Sequence, residues 1–246
     1  MALRFGIENI PSTPTNGLIM NIDLSNSSSY NGSGLTITDL SGNGNNLTIA
    51  GGPTFTGPTV STPGFFSFPG GEITRYLVRS PFSMPTTTVS LAIWVRQSTA
   101  RVVPTTGVGI ISYEVTGAGN NVLLYDQNDR INGLQFSTTG VDTFSGLSIS
   151  NNSWSHVVLT TNRTTGDGVV YVNSTRRFSF NAAVGTLITS GGSFMIAQEQ
   201  DGPGTGGLDP NQAFIGDFSS LKIYNRVVSA SEVAIIFNNE RTLFGV

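Results

Sequence analysis

Residues 89–96 read Val-Ser-Leu-Ala-Ile-Trp-Val-Arg, and this run constrains the fold more than any other. Leu91, Ile93 and Val95 project to one side of an extended chain, and Ala92 and Trp94 to the other. A strand that is apolar on both faces must be covered on both faces, so it belongs in the middle of a sheet with packing above and below.

Further strand-like runs recur at short intervals. They lie at residues 17–24, 64–68, 73–79, 108–115, 121–126, 131–137, 154–161, 168–172, 193–198 and 214–224. Gly70-Gly71 marks one turn and Asp167-Gly168 another, since these residues tolerate positive φ. Only one segment has helical character. Ser229-Ala230-Ser231-Glu232 has the form of a capping box, and Val233, Ile236 and Phe237 then share a face. A helix of one or two turns over residues 231–238 is expected, in an otherwise all-β sandwich.

Composition narrows the function. Charged residues are 11% and hydrophobic residues 38% of 246, with no cysteine, which excludes disulfides and thiolate metal sites. Net charge is −3 and Lys222 is the sole lysine, so nothing resembles a phosphate-neutralising stripe, and nucleic acid is an improbable partner. No apolar stretch approaches the roughly 18 residues of a membrane span. The N-terminus lacks the basic and apolar blocks of a signal peptide. Pro11 and Pro14 break up residues 1–16, which are expected to form an extended arm preceding one domain over 17–246. Arg4, Phe5 and Ile10 are the arm's candidate assembly contacts.

Three segments carry a family resemblance. Residues 17–55 begin with a strand and contain the turn Asp-Leu-Ser-Gly-Asn-Gly-Asn at 39–45. Residues 153–174 read SWSHVVLTTNRTTGDGVVYVNS. Residues 215–245 close with IGDFSSLKIYNRVVSASEVAIIFNNERTLFG. Together they resemble the laminin-G-like branch of the concanavalin A-like lectin/glucanase superfamily. The resemblance implies two antiparallel sheets packed as a jelly roll with a short C-terminal helix. The phrasing of these segments, ending in Asn-Asn-Glu-Arg-x-x-x-Gly, looks most like copies carried in bacteriophage structural proteins. Two departures stand out. Asn173-Ser174 replaces the frequent Asn-Gly, and Ser219-Ser220 replaces a frequent acidic residue, which weakens an inherited calcium site.

Candidate chemistry is sparse. His156, the lone histidine, alternates with Trp154 and Val158 on one strand face, which suits a structural role. Glycosidase relatives on this fold set carboxylates at alternate positions of one strand, and no such run occurs, so the chain is not expected to be an enzyme. Residues 199–212 read as a long surface loop, with Glu199, Asp201, Asp209 and Asn211 as candidate ligand or partner contacts. Asp39, Asn43 and Asp217 are candidate calcium ligands; alternatively Asp39 and Asn43 are turn residues bonding their own backbone. No cofactor is required by these features. The function expected is a non-enzymatic virion protein, a lectin-like domain decorating a phage capsid or tail and made in the host cytoplasm. Its partners would be other virion proteins and cell-surface glycans. The alternative is a carbohydrate-binding module of a cellular protein.

Overall fold

The computed structural model describes residues 11–98, 107–115, 122–127, 133–138, 141–144, 149, 152–204 and 207–246. Its strands form two antiparallel sheets. The first runs β14 (Thr175–Asn181), β13 (Asp167–Val172), β12 (Ser155–Asn162), β7 (Thr88–Gln97) and β16 (Ile215–Tyr224). The far edge of β16 is shared, with β5 (Phe65–Pro69) and then β4 (Thr54–Thr56) along one half and β1 (Leu18–Asp23) along the other. The second runs β11 (Val141–Phe144), β10 (Gly133–Thr138), β9 (Val122–Gln127), β8 (Val108–Glu114), β15 (Gly192–Ile196), β6 (Tyr76–Phe82), β3 (Leu47–Ala50) and β2 (Thr36–Ile37).

The two faces of β7 part as their alternation requires. Leu91, Ile93 and Val95 enter the main core between the sheets, with Val157 and Leu159 of β12 and Leu221 and Ile223 of β16. Ala92 and Trp94 face outward, yet both are buried, because helix α1 (Ala230–Phe244) lies over them. The covered outer face holds two clusters, one of Ala92, Val158, Tyr171, Tyr224, Val233 and Ile236, the other of Trp94, Trp154, Phe237 and Phe244.

The helix is longer than the one or two turns expected over 231–238. The capping box is present: Ser229 Oγ accepts the Glu232 N–H at 3.3 Å, and the Glu232 carboxylate accepts the Ser229 N–H at 2.8 Å. The polar run Asn238-Asn239-Glu240-Arg241 does not end it, because Glu240 turns toward the sheet and Phe244 packs on Trp94. Gly245 ends it, in the left-handed region at φ 70°, with its N–H directed to the last turn.

Other expectations shift. The hairpin between β12 and β13 turns on Arg163–Gly166, with Gly166 at φ 82°, rather than on Asp167-Gly168. Asp167 already pairs with Asn162 and Asn181. The strand expected at 73–79 starts at Tyr76, because the Glu72 carboxylate gathers the N–H groups of Thr74 and Arg75 into a bend. Strands β2, β3, β4, β11 and β14 were not expected from the sequence. Residues 11–16 are tied to the domain: Tyr224 Oη donates to Pro14 O at 3.1 Å, and Asn239 Nδ2 to Pro11 O at 3.1 Å. Arg4, Phe5 and Ile10 lie outside the described residues.

Candidate functional site

The chain leaves the second sheet at Ala197, whose φ of 74° swings residues 198–200 against the side of β8 away from the core. This stretch is not the surface loop expected from its polarity: Gln198, Glu199 and Gln200 are all buried. Gln200 Nε2 donates to Ser112 Oγ at 2.9 Å and to Ser193 O at 3.2 Å. Ser112 Oγ donates to Gln198 O at 2.8 Å, and Gln198 Nε2 to Glu72 O at 2.8 Å. Gly109 makes the close approach of β8 feasible, since a Cβ there would stand 2.7 Å from the Gln198–Glu199 peptide.

Beyond this belt the chain surfaces. Asp201 is exposed, and Gly207 folds back over it. Asp209 caps a short 3-10 turn, Pro210–Gln212, its Oδ1 accepting the Asn211 N–H at 2.8 Å and the Asn211 Nδ2 at 3.0 Å. Gln212 Nε2 donates to Tyr125 Oη at 2.9 Å, and Ala213 bridges to Gly109. The four loop candidates therefore separate: Glu199 is buried, Asp201 stands at the surface two residues on, and Asp209 and Asn211 hold each other.

Within this belt the amide oxygens Gln198 Oε1 and Gln200 Oε1 are buried without a hydrogen-bond partner among the described residues. A buried amide oxygen left unmet costs about 1–3 kcal/mol, so these are groups poised for a donor or a cation. Glu114, also buried, lies on β8 directly opposite Ser193 of β15. Glu114, Gln198 and Gln200 escaped the sequence reading. The available signal was polar residues at alternate positions, Ser112 with Glu114 and Gln198 with Gln200, beside apolar strands.

The first calcium set does not assemble. The Asp39 carboxylate accepts N–H groups from Asn21 at 2.8 Å, Ser41 at 2.9 Å and Asn45 at 3.0 Å, and the Ser41 hydroxyl at 2.8 Å. Its lone pairs are spent on bracing a turn to β1, which is the alternative role. Asn43 Nδ2 donates to Leu18 O at 3.1 Å in the same turn. Asp217 instead joins Arg96 and Ser67 on another part of the first sheet. Among the described residues, no three His, Cys, Asp or Glu side chains gather as a metal cluster. None of their helices is long and apolar enough to cross a membrane.

His156 is sealed in the outer-face cluster, its ring 5.0 Å from that of Trp94 and 5.9 Å from that of Phe237. Burial pushes its pKa down to about 4, so the ring is neutral at pH 7. It is a structural side chain.

Residues 70–234 match the family model described as the concanavalin A-like lectin/glucanases superfamily. The chain belongs to this superfamily. Within it, human pentraxin-4 is 28% identical over 174 residues, covering 68% of this chain but 35% of pentraxin-4. The chain thus spans about a third of that relative's length. Among solved structures of this concanavalin A-like fold, the binding domain of botulinum neurotoxin DC in complex with SialylT superposes with TM-score 0.68 at 15% identity, over 92% of this chain and 52% of that one. Domain 4 of an extracellular arabinanase from Geobacillus stearothermophilus, in complex with arabinotriose, gives TM-score 0.59 at 16% identity, over 88% of this chain and 96% of that one. At these identities the two structures attest the fold.

Proposed function

We propose that this chain is a non-enzymatic glycan-binding module whose ligand sits at the loop from Gln198 to Gln212. The observation that carries this reading is the buried polar belt, in which Gln198 and Gln200 keep unmet amide oxygens just before the chain surfaces at the exposed Asp201. Polar groups held rigid by a sheet are what orient a sugar's hydroxyls. The Asp201 carboxylate and the amide oxygens of Gln198 and Gln200 are hard oxygen donors of the kind calcium takes, whereas the Asp39 carboxylate is already saturated. Bound there, calcium would supply a positive charge for sugar hydroxyls to coordinate. No catalytic role is assigned, because the one histidine is sealed under helix α1 and no strand carries carboxylates at alternate positions.

For the setting, a virion surface is proposed on the strength of the likeness of the three segments to bacteriophage structural proteins. None of the relatives named above is a phage protein. A binding module within a cellular protein is the second reading, favoured by pentraxin-4, in which the matching region is about a third of the whole.

A glycan array probed with the full chain, in calcium and in chelator, tests the site. Binding that falls in Asp201→Asn is expected. No glycan bound, or binding indifferent to changes at Asp201 and Asp209, would sink it. Mass spectrometry of purified particles tests the setting, and absence of the chain from them leaves the cellular module.

A further inference from the structure

The outer face of the first sheet carries a second recess, remote in sequence from the 198–212 loop. At one rung Ser67 of β5, Asp217 of β16 and Arg96 of β7 stand side by side as direct strand partners. Asp217 Oδ2 accepts the Arg96 Nε–H at 2.7 Å, and Asp217 Oδ1 accepts the Ser67 hydroxyl at 2.6 Å. The guanidinium lies 5.0 Å from the Phe65 ring centroid and 4.9 Å from that of Trp154, and those two rings meet edge to face at 5.8 Å. The Arg96–Asp217 pair is therefore fixed by a third side chain and two aromatic rings.

A β-bulge between Phe218 and Ser220 makes this possible. It lets Asp217 share the outer face with Ser220, three positions on, whereas strict alternation would put them on opposite faces. Gly216 adds the close approach, since a Cβ there would stand 2.4 Å from Arg96 O. The recess has a volume of about 480 Å³, and Phe68, Pro69, Ser98 and Asn152 complete its wall around the pair. Small-molecule sites run to about 300–1,000 Å³.

We propose that this recess binds a neutral sugar residue carrying adjacent hydroxyls, without calcium. Arg96 spends Nε on Asp217, and its Nη groups make no hydrogen bond with the described residues while about a third of its side chain (32%) stays exposed. The recess thus offers fixed N–H donors beside a carboxylate with lone pairs to spare. A hydroxyl donates and accepts at once, so two neighbouring hydroxyls answer both partners. The pair's charges cancel, which leaves no net pull on an anion or a cation. The exposed ring of Pro69 gives an apolar wall for the C–H side of a sugar ring, while the Phe68 ring points into the core and lends only its backbone. Because the pair is held before ligand arrives, little side-chain freedom is lost on binding. The proposal shares with the function above only its class of ligand.

The test is nuclear magnetic resonance on the full 15N-labelled chain in EDTA, titrated with arabinotriose, lactose and maltotriose. Saturable shifts are expected for at least one sugar at the Arg96 Nε–H and at the amides of Ser98 and Gly216. Arg96→Met and Asp217→Asn should each weaken that binding about tenfold or more, and Asp201→Asn should leave it unchanged. Should the Arg96 or Asp217 variants fail to fold, Ser67→Ala removes only the brace on Asp217 and should still weaken binding several-fold. Absence of saturable shifts for all three sugars, shifts confined to residues 198–212, or full affinity in the folded variants overturns the proposal. Loss of calcium-dependent binding at the loop would leave it standing.

Discussion

The indole of Trp94 and the ring of Phe244 lie face to face, their centroids 3.9 Å apart and their planes 1° from parallel. One side chain comes from the middle of β7, the other from the last turn of α1, so the contact fastens the end of the chain to the centre of the first sheet. Trp94 is fully buried and also touches Phe237 and His156. Trp94→Ala should cost about 3–5 kcal/mol. Urea melts followed by circular dichroism check this, and a loss below about 1 kcal/mol would show that the helix does not depend on its aromatic anchor.

The same helix is held by a charge. Trp94 Nε1 donates to Glu240 Oε2 at 2.6 Å, and the other carboxylate oxygen takes the Lys222 ammonium. Burial works against the Glu240 carboxylate, yet the Lys222 charge beside it holds its pKa below the usual range. Removing one partner of a fully buried pair costs about 3–5 kcal/mol, because the other charge is stranded. Here the Glu240 side chain keeps 20% of its exposure, so Glu240→Gln is expected to cost less, about 2–3 kcal/mol. Denaturant midpoints of Glu240→Gln and of the Glu240→Gln/Lys222→Met double variant check it. Recovery in the double variant is the signature of a stranded lysine.

What was legible in the sequence follows from how burial writes itself into pattern. Residues 89–96 announced a doubly covered strand, and the Ser229–Glu232 box announced the helix start, because both signals are local. The cover itself was less legible, since Glu240 and Phe244 take their meaning from Lys222 and Trp94 across the sheet. The edge strand β14 was missed because an edge need not alternate: Arg176 and Arg177 are both exposed, while Phe178 and Phe180 are only half-buried. The bulge in β16 hid the pairing of Asp217 with Arg96, since a single inserted residue inverts which side chains share a face. The buried belt at 198–200 was read as surface because Gln-Glu-Gln looks like solvent-facing chain when Ser112 and Ser193 are not known to stand beneath it.

The turn joining β13 to β14 offers a gain in stability. Asn173 and Ser174 both sit at positive φ, 48° and 61°, as a two-residue hairpin turn demands. Asn173 is suited to this, and its Oδ1 also accepts the His156 N–H at 2.9 Å. Serine is not, and the left-handed region costs a non-glycine residue roughly 1–2 kcal/mol. Part of that is offset by glycine's larger freedom in the unfolded chain. Ser174→Gly should therefore stabilise by about 0.5–1 kcal/mol. Asn173→Gly should not help, because it removes the bond to His156. Thermal melts of the two variants against the parent decide between them.

His156 sets the acid limit of the fold. Its folded pKa of about 4 lies below the ordinary 6.5, first because it is buried, with the Glu240 charge opposing that shift and the Lys222 charge adding to it. The charged groups that act on it are Glu240 from α1 and Lys222 from β16. Above pH 6.5 the ring is neutral in both folded and unfolded chains, and the histidine leaves stability independent of pH. Below 6.5 the unfolded chain takes up a proton that the folded chain refuses, so stability falls as pH drops toward 4. At about 1.4 kcal/mol per pH unit, the full loss across this window approaches 3 kcal/mol. Glu240 acts in the same direction at lower pH, since a carboxylate held below its usual range loses stabilisation only as it is protonated. Unfolding free energies measured between pH 4 and 7 should therefore decline from about pH 6.5 downward in the parent, and His156→Leu should flatten that decline. An equal slope in the two proteins would place the acid sensitivity on the carboxylates and clear the histidine of it.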